Sequence, residues 1–224
     1  FSFIRNSEKQ HIWVGLSRET AHQLGTPVSA LLGWLDYLKN DNSNIEKILP
    51  EMESDIERLQ QVSRRFSKMG SKPEMEYFDL SKRVESVLSY LNRRIPTLGK
   101  KVDLVNDIDP DIKIMANGTL ISWTIENLIR NSIDSVSGEA GLIRLSMSQD
   151  QNNVKIRISD NGCGVPKKDW KNIFRPGFST KKSGWGLGLS LCQRIINEVH
   201  KGDIYVLESR INSGTVFEIN IPSG

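Results

Sequence analysis

Asp160-Asn-Gly-Cys-Gly164 and, further on, Gly184-Trp-Gly-Leu-Gly-Leu189 are the stretches on which the reading of this chain turns. The first closes an alternating apolar run, Val154–Asp160, that predicts a strand; the second opens a helical pattern over Leu187–Val199. Upstream, Asn127 and Asn131 share one face of a predicted helix, Leu120–Val136, one turn apart. Far upstream stands Glu19-Thr-Ala-His22-Gln-Leu-Gly-Thr26-Pro27. Each piece alone is a weak signal, because Asp-Asn-Gly is also a plain turn, glycine runs are also linkers, and helical asparagines are mostly surface residues. Their order is what carries information.

Taken together, they imply a nucleotide site. A carboxylate ending a strand can accept from the exocyclic amine of adenine, and Gly162 and Gly164 let backbone approach the base. Glycines before a helix start present amides and the positive dipole end to phosphate, which suits Gly184, Gly186 and Gly188 around Leu187. No βαβ unit surrounds them, so this is not the dinucleotide fingerprint. An amide oxygen is a suitable hard ligand for Mg²⁺, which keeps waters and phosphate oxygens besides. Between the glycine motifs, Phe174-Arg-Pro-Gly-Phe-Ser-Thr-Lys181 reads as a lid anchored by Phe174 and Phe178, with Lys181 or Lys182 able to reach phosphate.

The rest of the chain divides in two. Residues 7–39 are patterned as a helix with Ile12, Leu16, Leu24, Val28, Leu31, Leu32, Leu35 and Leu38 on one face, kinked at Pro27. After the turn sequence Asn40–Asn44, a second helix over Ile45–Met69 carries a near-heptad seam from Ile45 and Ile48 through Val62, Phe66 and Met69. Such a hairpin has too little to bury alone, which predicts a homodimer built as a four-helix bundle. Gly70-Ser-Lys-Pro73 is a linker signal separating a 1–72 domain from a 73–224 domain. The second part predicts strands at Glu74–Leu80, Val102–Ile108, Ile112–Ala116, Leu142–Gln149, Asp203–Ser209 and Thr215–Ile221, and a helix at Ser81–Arg94. The fold class is α+β: an antiparallel helical hairpin, then an α/β sandwich.

Composition excludes several roles. A net charge of +3 with 25% charged residues shows no basic stripe, so nucleic acid is not expected as a partner. No apolar run approaches the roughly 20 residues of a membrane span. Cys163 and Cys192 lack metal-ligand spacing, and a reducing cytoplasm is the expected setting. The chain opens at Phe1 without a Met and reads as a fragment whose N-terminal neighbour was removed.

The order of asparagine motif, Asp-x-Gly-x-Gly, phenylalanine-containing lid, Gly-x-Gly-Leu-Gly-Leu and final Gly214-Thr215 resembles the ATP-binding domain of sensor histidine kinases, an ATPase fold shared with DNA gyrase and MutL. The hairpin with a histidine before Thr-Pro resembles the dimerisation and phosphoacceptor domain of the same kinases. That resemblance implies ATP and Mg²⁺ as cofactors, with Asn131 as the metal ligand and Asn127 near the phosphates. It implies Asp160 as the adenine contact beside Gly162 and Gly164, the segment from Gly184 through Gly186 and Leu187 to Gly188 on the phosphate side, and Thr215 near the base. Asp134 stands where the family often has a basic residue, leaving Arg130 or Lys181 to compensate.

By the same resemblance His22 is the phosphoacceptor for the γ-phosphate, and a response-regulator receiver domain is the next acceptor. The neutral imidazole this requires is abundant at neutral pH, given a reference pKa of about 6.5. The family's acidic residue after that histidine is replaced by Gln23, whose amide can hold a tautomer but cannot act as a base. Glu19, one turn earlier, or water is then expected to take the proton. Thr26, four after His22, is expected to position water for a phosphatase reaction. His200, beside Lys201-Gly202, is expected as a structural cation at a helix end. Two other classes use such a site: a gyrase- or MutL-like ATPase, disfavoured by Asn127 standing where those enzymes have a glutamate, and a kinase-impaired, phosphatase-dominant or nucleotide-binding scaffold, kept open by Gln23.

Overall fold

The computed structural model describes residues 24–25, 27–40, 45–70, 74–95, 101–136, 140–179, 186 and 188–223. The chain divides into two compact units between Pro73 and Glu74.

In the first unit, residues 24–25 are helical and α1 runs over residues 27–40; α2 is Ile45–Gly70. Pro27 and Ile48 are buried, whereas Val28, Leu32, Leu35, Ile45, Leu49 and Ile56 are exposed. Val28, Leu32, Leu35 and Ile45 belong to the apolar rows that the spacing predicts, and in the single chain they stand in water, while Leu24, Leu31 and Leu38 are half-buried. Ile12 and Leu16, and the side chains of Val62, Phe66 and Met69, lie outside what is described.

The second unit is mixed α/β. Strand β1 (Glu76–Asp79) passes directly into α3 (Leu80–Arg94). The sequence reading carried this strand on to Leu80. The Asp79 carboxylate instead accepts the Lys82 amide at 3.0 Å, capping a helix that begins at Leu80. The same amide bond is the main reason that carboxyl is held below its usual range. Leu80, Val84, Leu88 and Leu91 then recur at helical spacing along the buried face. Strand β2 (Val102–Ile108) and β3 (Lys113–Ala116) lead to α4 (Gly118–Ser135), followed by β4 (Gly141–Gln149) and β5 (Asn153–Asp160). After two short 3₁₀ turns come α5 (Gly188–Arg194), a π-helical turn at Ile195–Val199, β6 (Asp203–Arg210) and β7 (Gly214–Pro222).

Five strands form a sheet in the order β2-β4-β5-β7-β6; β1 and β3 form a separate antiparallel pair. The β2–β4 pair is parallel and the remaining pairs in the large sheet are antiparallel. Strict alternation in β4 and β5 buries Ile143, Leu145, Met147, Val154, Ile156 and Ile158. They form one core with Ile121, Ile125, Leu128, Ile129 and Ile133 of α4. Each such side chain contributes about 1.5–3 kcal/mol by leaving water. That core sets the rotation of α4 about its axis, which decides where its polar residues point.

The helix expected as continuous over Leu187–Val199 is divided, α-helical to Arg194 and π-helical after it. The wider turn lets the Ile195 carbonyl take both the His200 amide (3.2 Å) and the His200 ring Nδ1 (2.9 Å). No helix among the described residues is long and apolar enough to cross a membrane.

Candidate functional site

Asp160 ends β5 facing the last two turns of α4, and four donors converge on its carboxylate. Oδ1 accepts from the Gly162 amide (2.9 Å), the Thr215 amide (3.2 Å) and Ser135 Oγ (3.2 Å); Oδ2 accepts from Ser132 Oγ (3.0 Å). Thr215, at the start of β7, is buried and its hydroxyl meets Ser209 Oγ at 2.9 Å. Gly162 is packed against α4 so closely that a Cβ there would stand 1.9 Å from Ser135 Oγ. Only glycine fits this approach. Gly164 lies against the Arg210 carbonyl.

Further along α4, the Asn127 amide donates to Cys192 Sγ of α5 at 3.2 Å. Gly188 opens α5 against the same side chain, where a Cβ would lie 2.7 Å from Asn127 Oδ1. Burial pushes the Cys192 thiol up to about 12, so it stays protonated and acts as a soft partner for the amide. Asn131, one turn on, is half-buried. Arg130 pairs with buried Glu126, Nη2 to Oε1 at 3.0 Å. The Gly186 carbonyl accepts from the Gly177 amide at 3.0 Å. Phe174 is buried edge-on against Phe217 (centroids 6.3 Å apart), and Phe178 packs against the core.

The structure thus brings Asp160, Gly162 and Thr215 to one end of α4, and Asn127 and Gly188 to its middle. Glu19, His22, Gln23, Thr26, Lys181, Gly184 and Leu187 lie outside the described residues.

Two sets of residues escaped the sequence reading. Ser132 and Ser135 carried no motif of their own. Their i, i+3 spacing beside Asn131 was the available signal, but only the fold sets Asp160 against it. His200 is a correction. It is 4% exposed, its Nε2 accepts the Asn117 amide at 3.1 Å, and its Nδ1–H donates to Ile195 O. Burial pushes its pKa down. It is therefore a neutral imidazole tying the amide of the α4 cap residue to the π turn, not a cation at a helix end. Asn117 in turn caps α4 by accepting the Leu120 amide at 3.0 Å.

Residues 117–224 match the family model described as histidine kinase-, DNA gyrase B- and HSP90-like ATPase. The solved catalytic domain of histidine kinase ThkA is 31% identical, with a TM-score of 0.60, and the match covers 67% of this chain and 96% of that domain. The chain belongs to the histidine kinase family. Sporulation kinase B of Bacillus subtilis (strain 168) is 29% identical over 228 residues, covering 97% of this chain and 51% of that protein. The chain therefore spans about half the length of that relative. A structure of ThkA in complex with the response regulator protein TrrA aligns over 97% of this chain at 24% identity, with a TM-score of 0.62, a likeness of fold. The resemblance read from the ordered motifs agrees with this family, and the matched region is its ATP-binding domain.

Proposed function

We propose that this chain is the core of a cytoplasmic sensor histidine kinase. It binds Mg²⁺-ATP in the 73–224 domain, phosphorylates His22 in the 1–72 domain, and passes the phosphoryl group to an aspartate on a response-regulator receiver domain. The observation that carries this reading is the Asp160 carboxylate, fixed by four donors at the end of the helix that bears Asn127 and Asn131.

In this reading Asp160 accepts from the adenine amine, and Gly162, Gly164 and Thr215 shape the base end. Asn127, Arg130, Asn131, Lys181 and the segment Gly184, Gly186, Leu187 and Gly188 serve the phosphates. Among the described residues no group of three His, Cys, Asp or Glu forms a metal site. A hard cation here would take most of its oxygens from phosphate and water, which suits the amide oxygen of Asn131. Mg²⁺, when bound, supplies charge neutralisation at the phosphates. The Nε2 lone pair of His22 forms the bond to the γ-phosphorus while the bond to the bridging oxygen breaks and ADP leaves. Gln23 holds Nδ1–H, and Glu19 or water takes the proton afterwards. Thr26 orients water against the regulator's aspartyl phosphate, giving a phosphatase reaction that Thr26→Ala removes without loss of autophosphorylation.

The exposed apolar row on α1 and α2 supports a homodimeric four-helix bundle, because two helices alone leave that face in water. The ThkA–TrrA complex supports a receiver domain as partner, and the greater length of the relatives supports a sensor domain outside this stretch. The test is incubation with γ-labelled Mg²⁺-ATP, comparing wild type with His22→Ala. Label that is acid-labile, alkali-stable and lost in the variant establishes the kinase. Tight ATP binding without label points to the second reading that Gln23 favours, a phosphatase-dominant or nucleotide-binding scaffold.

A further inference from the structure

We infer that Ser132 is a positioning residue that keeps one acceptor site of Asp160 open for an amino group on the bound base, and so makes the site select a 6-aminopurine. This rests on the nucleotide-site reading above and deepens it.

An ionised carboxylate offers about four acceptor positions, two on each oxygen. Two backbone amides, Gly162 N and Thr215 N, fill the positions on Oδ1, with Ser135 Oγ beside them at 3.2 Å. Oδ2 receives one, Ser132 Oγ at 3.0 Å. The free acceptor position is thus on Oδ2, next to the serine. The two serines are not equivalent. Ser135 has a single hydroxyl proton and also points it at the Ser132 carbonyl, at the shorter distance of 2.8 Å. Ser132 is 1% exposed and its hydroxyl points at Asp160.

The torsion that turns a carboxylate is soft and roughly two-fold. The donors on Oδ1 fix one end of it; the Ser132 bond to Oδ2 stops the other end from swinging. Held so, the remaining lone pair accepts an N–H but repels a carbonyl oxygen at the same place. Without the hydroxyl, Oδ2 is free to rotate or to take water, and the selective contact weakens while the rest of the base site persists.

The experiment is calorimetric binding to the whole chain of ATP, purine riboside triphosphate (no 6-substituent) and ITP (6-oxo), for wild type, Ser132→Ala and Ser132→Thr. Wild type should bind ATP more tightly than either analogue. Ser132→Ala should weaken ATP by about 5- to 10-fold, the scale of one ordinary hydrogen bond, and weaken the purine analogue less than about twofold. Ser132→Thr keeps the hydroxyl and should keep the preference even where a buried methyl lowers all affinities. Partial unfolding scales the apparent dissociation constants of ATP and the purine analogue by the same factor, so their ratio separates positioning from general damage. Equal losses on ATP and the purine analogue, or no binding of either by Ser132→Ala, overturn the inference while leaving the adenine site standing. A wild type that binds no nucleotide, or does not distinguish ATP from the analogue, overturns the site reading and this inference together.

Discussion

Replacing His200 by phenylalanine tests whether a neutral imidazole holds the start of α4. Phenylalanine fills the ring space but leaves the buried Asn117 amide without its 3.1 Å partner and removes the 2.9 Å ring bond to Ile195 O. The orphaned amide costs about 1–3 kcal/mol and the lost bond about 1 kcal/mol, so the variant should be less stable by about 2–4 kcal/mol at pH 8. The gap should also depend on pH. Burial lowers the native pKa of His200 below 6.5, so the unfolded chain binds the proton first as pH falls. Wild-type stability from this group is present above 6.5 and is lost as pH falls through the native value, at no more than about 1.4 kcal/mol per pH unit. The phenylalanine variant lacks the group, so the gap should narrow between pH 6.5 and 5.5. Other titrating groups are common to both chains and cancel in the difference. Urea unfolding of both proteins at several pH values measures it. A gap that stays constant or widens on acidification would refute the neutral-imidazole assignment.

Gly162→Ala puts a methyl 1.9 Å from Ser135 Oγ; overpacking should cost about 1–3 kcal/mol of stability, and an unchanged urea-unfolding midpoint would contradict the close approach of this glycine to α4. An alkylating reagent on native protein at pH 7.5 should modify exposed Cys163 and spare Cys192, whose buried thiol is pushed up to about 12; two labels by intact mass would show that α5 opens. On the outer sheet face, buried Glu218 accepts from Tyr205 and Arg157. Burial opposes its charge, but those bonds outweigh it and hold its pKa below 4.5. Its contribution is therefore present above pH 4.5 and lost on further acidification, and Glu218→Ala should cost about 1–2 kcal/mol at neutral pH, read from the unfolding midpoint; an unchanged midpoint would show that the cluster adds nothing.

Periodicity and turn chemistry made most elements legible. β2 matches its expected bounds, Val102–Ile108, because turn residues flank it, and the β4–β5 hairpin turns at Asp150, whose carboxylate accepts the Asn152 and Asn153 amides. α2 was legible to within one residue from its near-heptad seam. Errors arose where a local signal met a longer-range one. Leu80 belongs to an apolar run that extends a strand, but Asp79 capping turns it into a helix. Val199 fits a helical period, but a π turn serves the His200 ring.

The sequence by itself determined the kinds of element, the order of the chemical motifs and the family they signal, because hydrophobic period, glycine and proline placement and side-chain chemistry are local properties. Tertiary structure alone decided that β1 pairs with β3, that β2 runs parallel to β4, and that Ser132, Ser135, Gly162 and Thr215 meet on Asp160. It also decided that His200 is neutral. The reason is physical: a charge state and a hydrogen-bond partner depend on what surrounds a group in space. Here those surroundings come from stretches as far apart as Asn117 and His200, brought together only when α4 buries its isoleucines on the sheet.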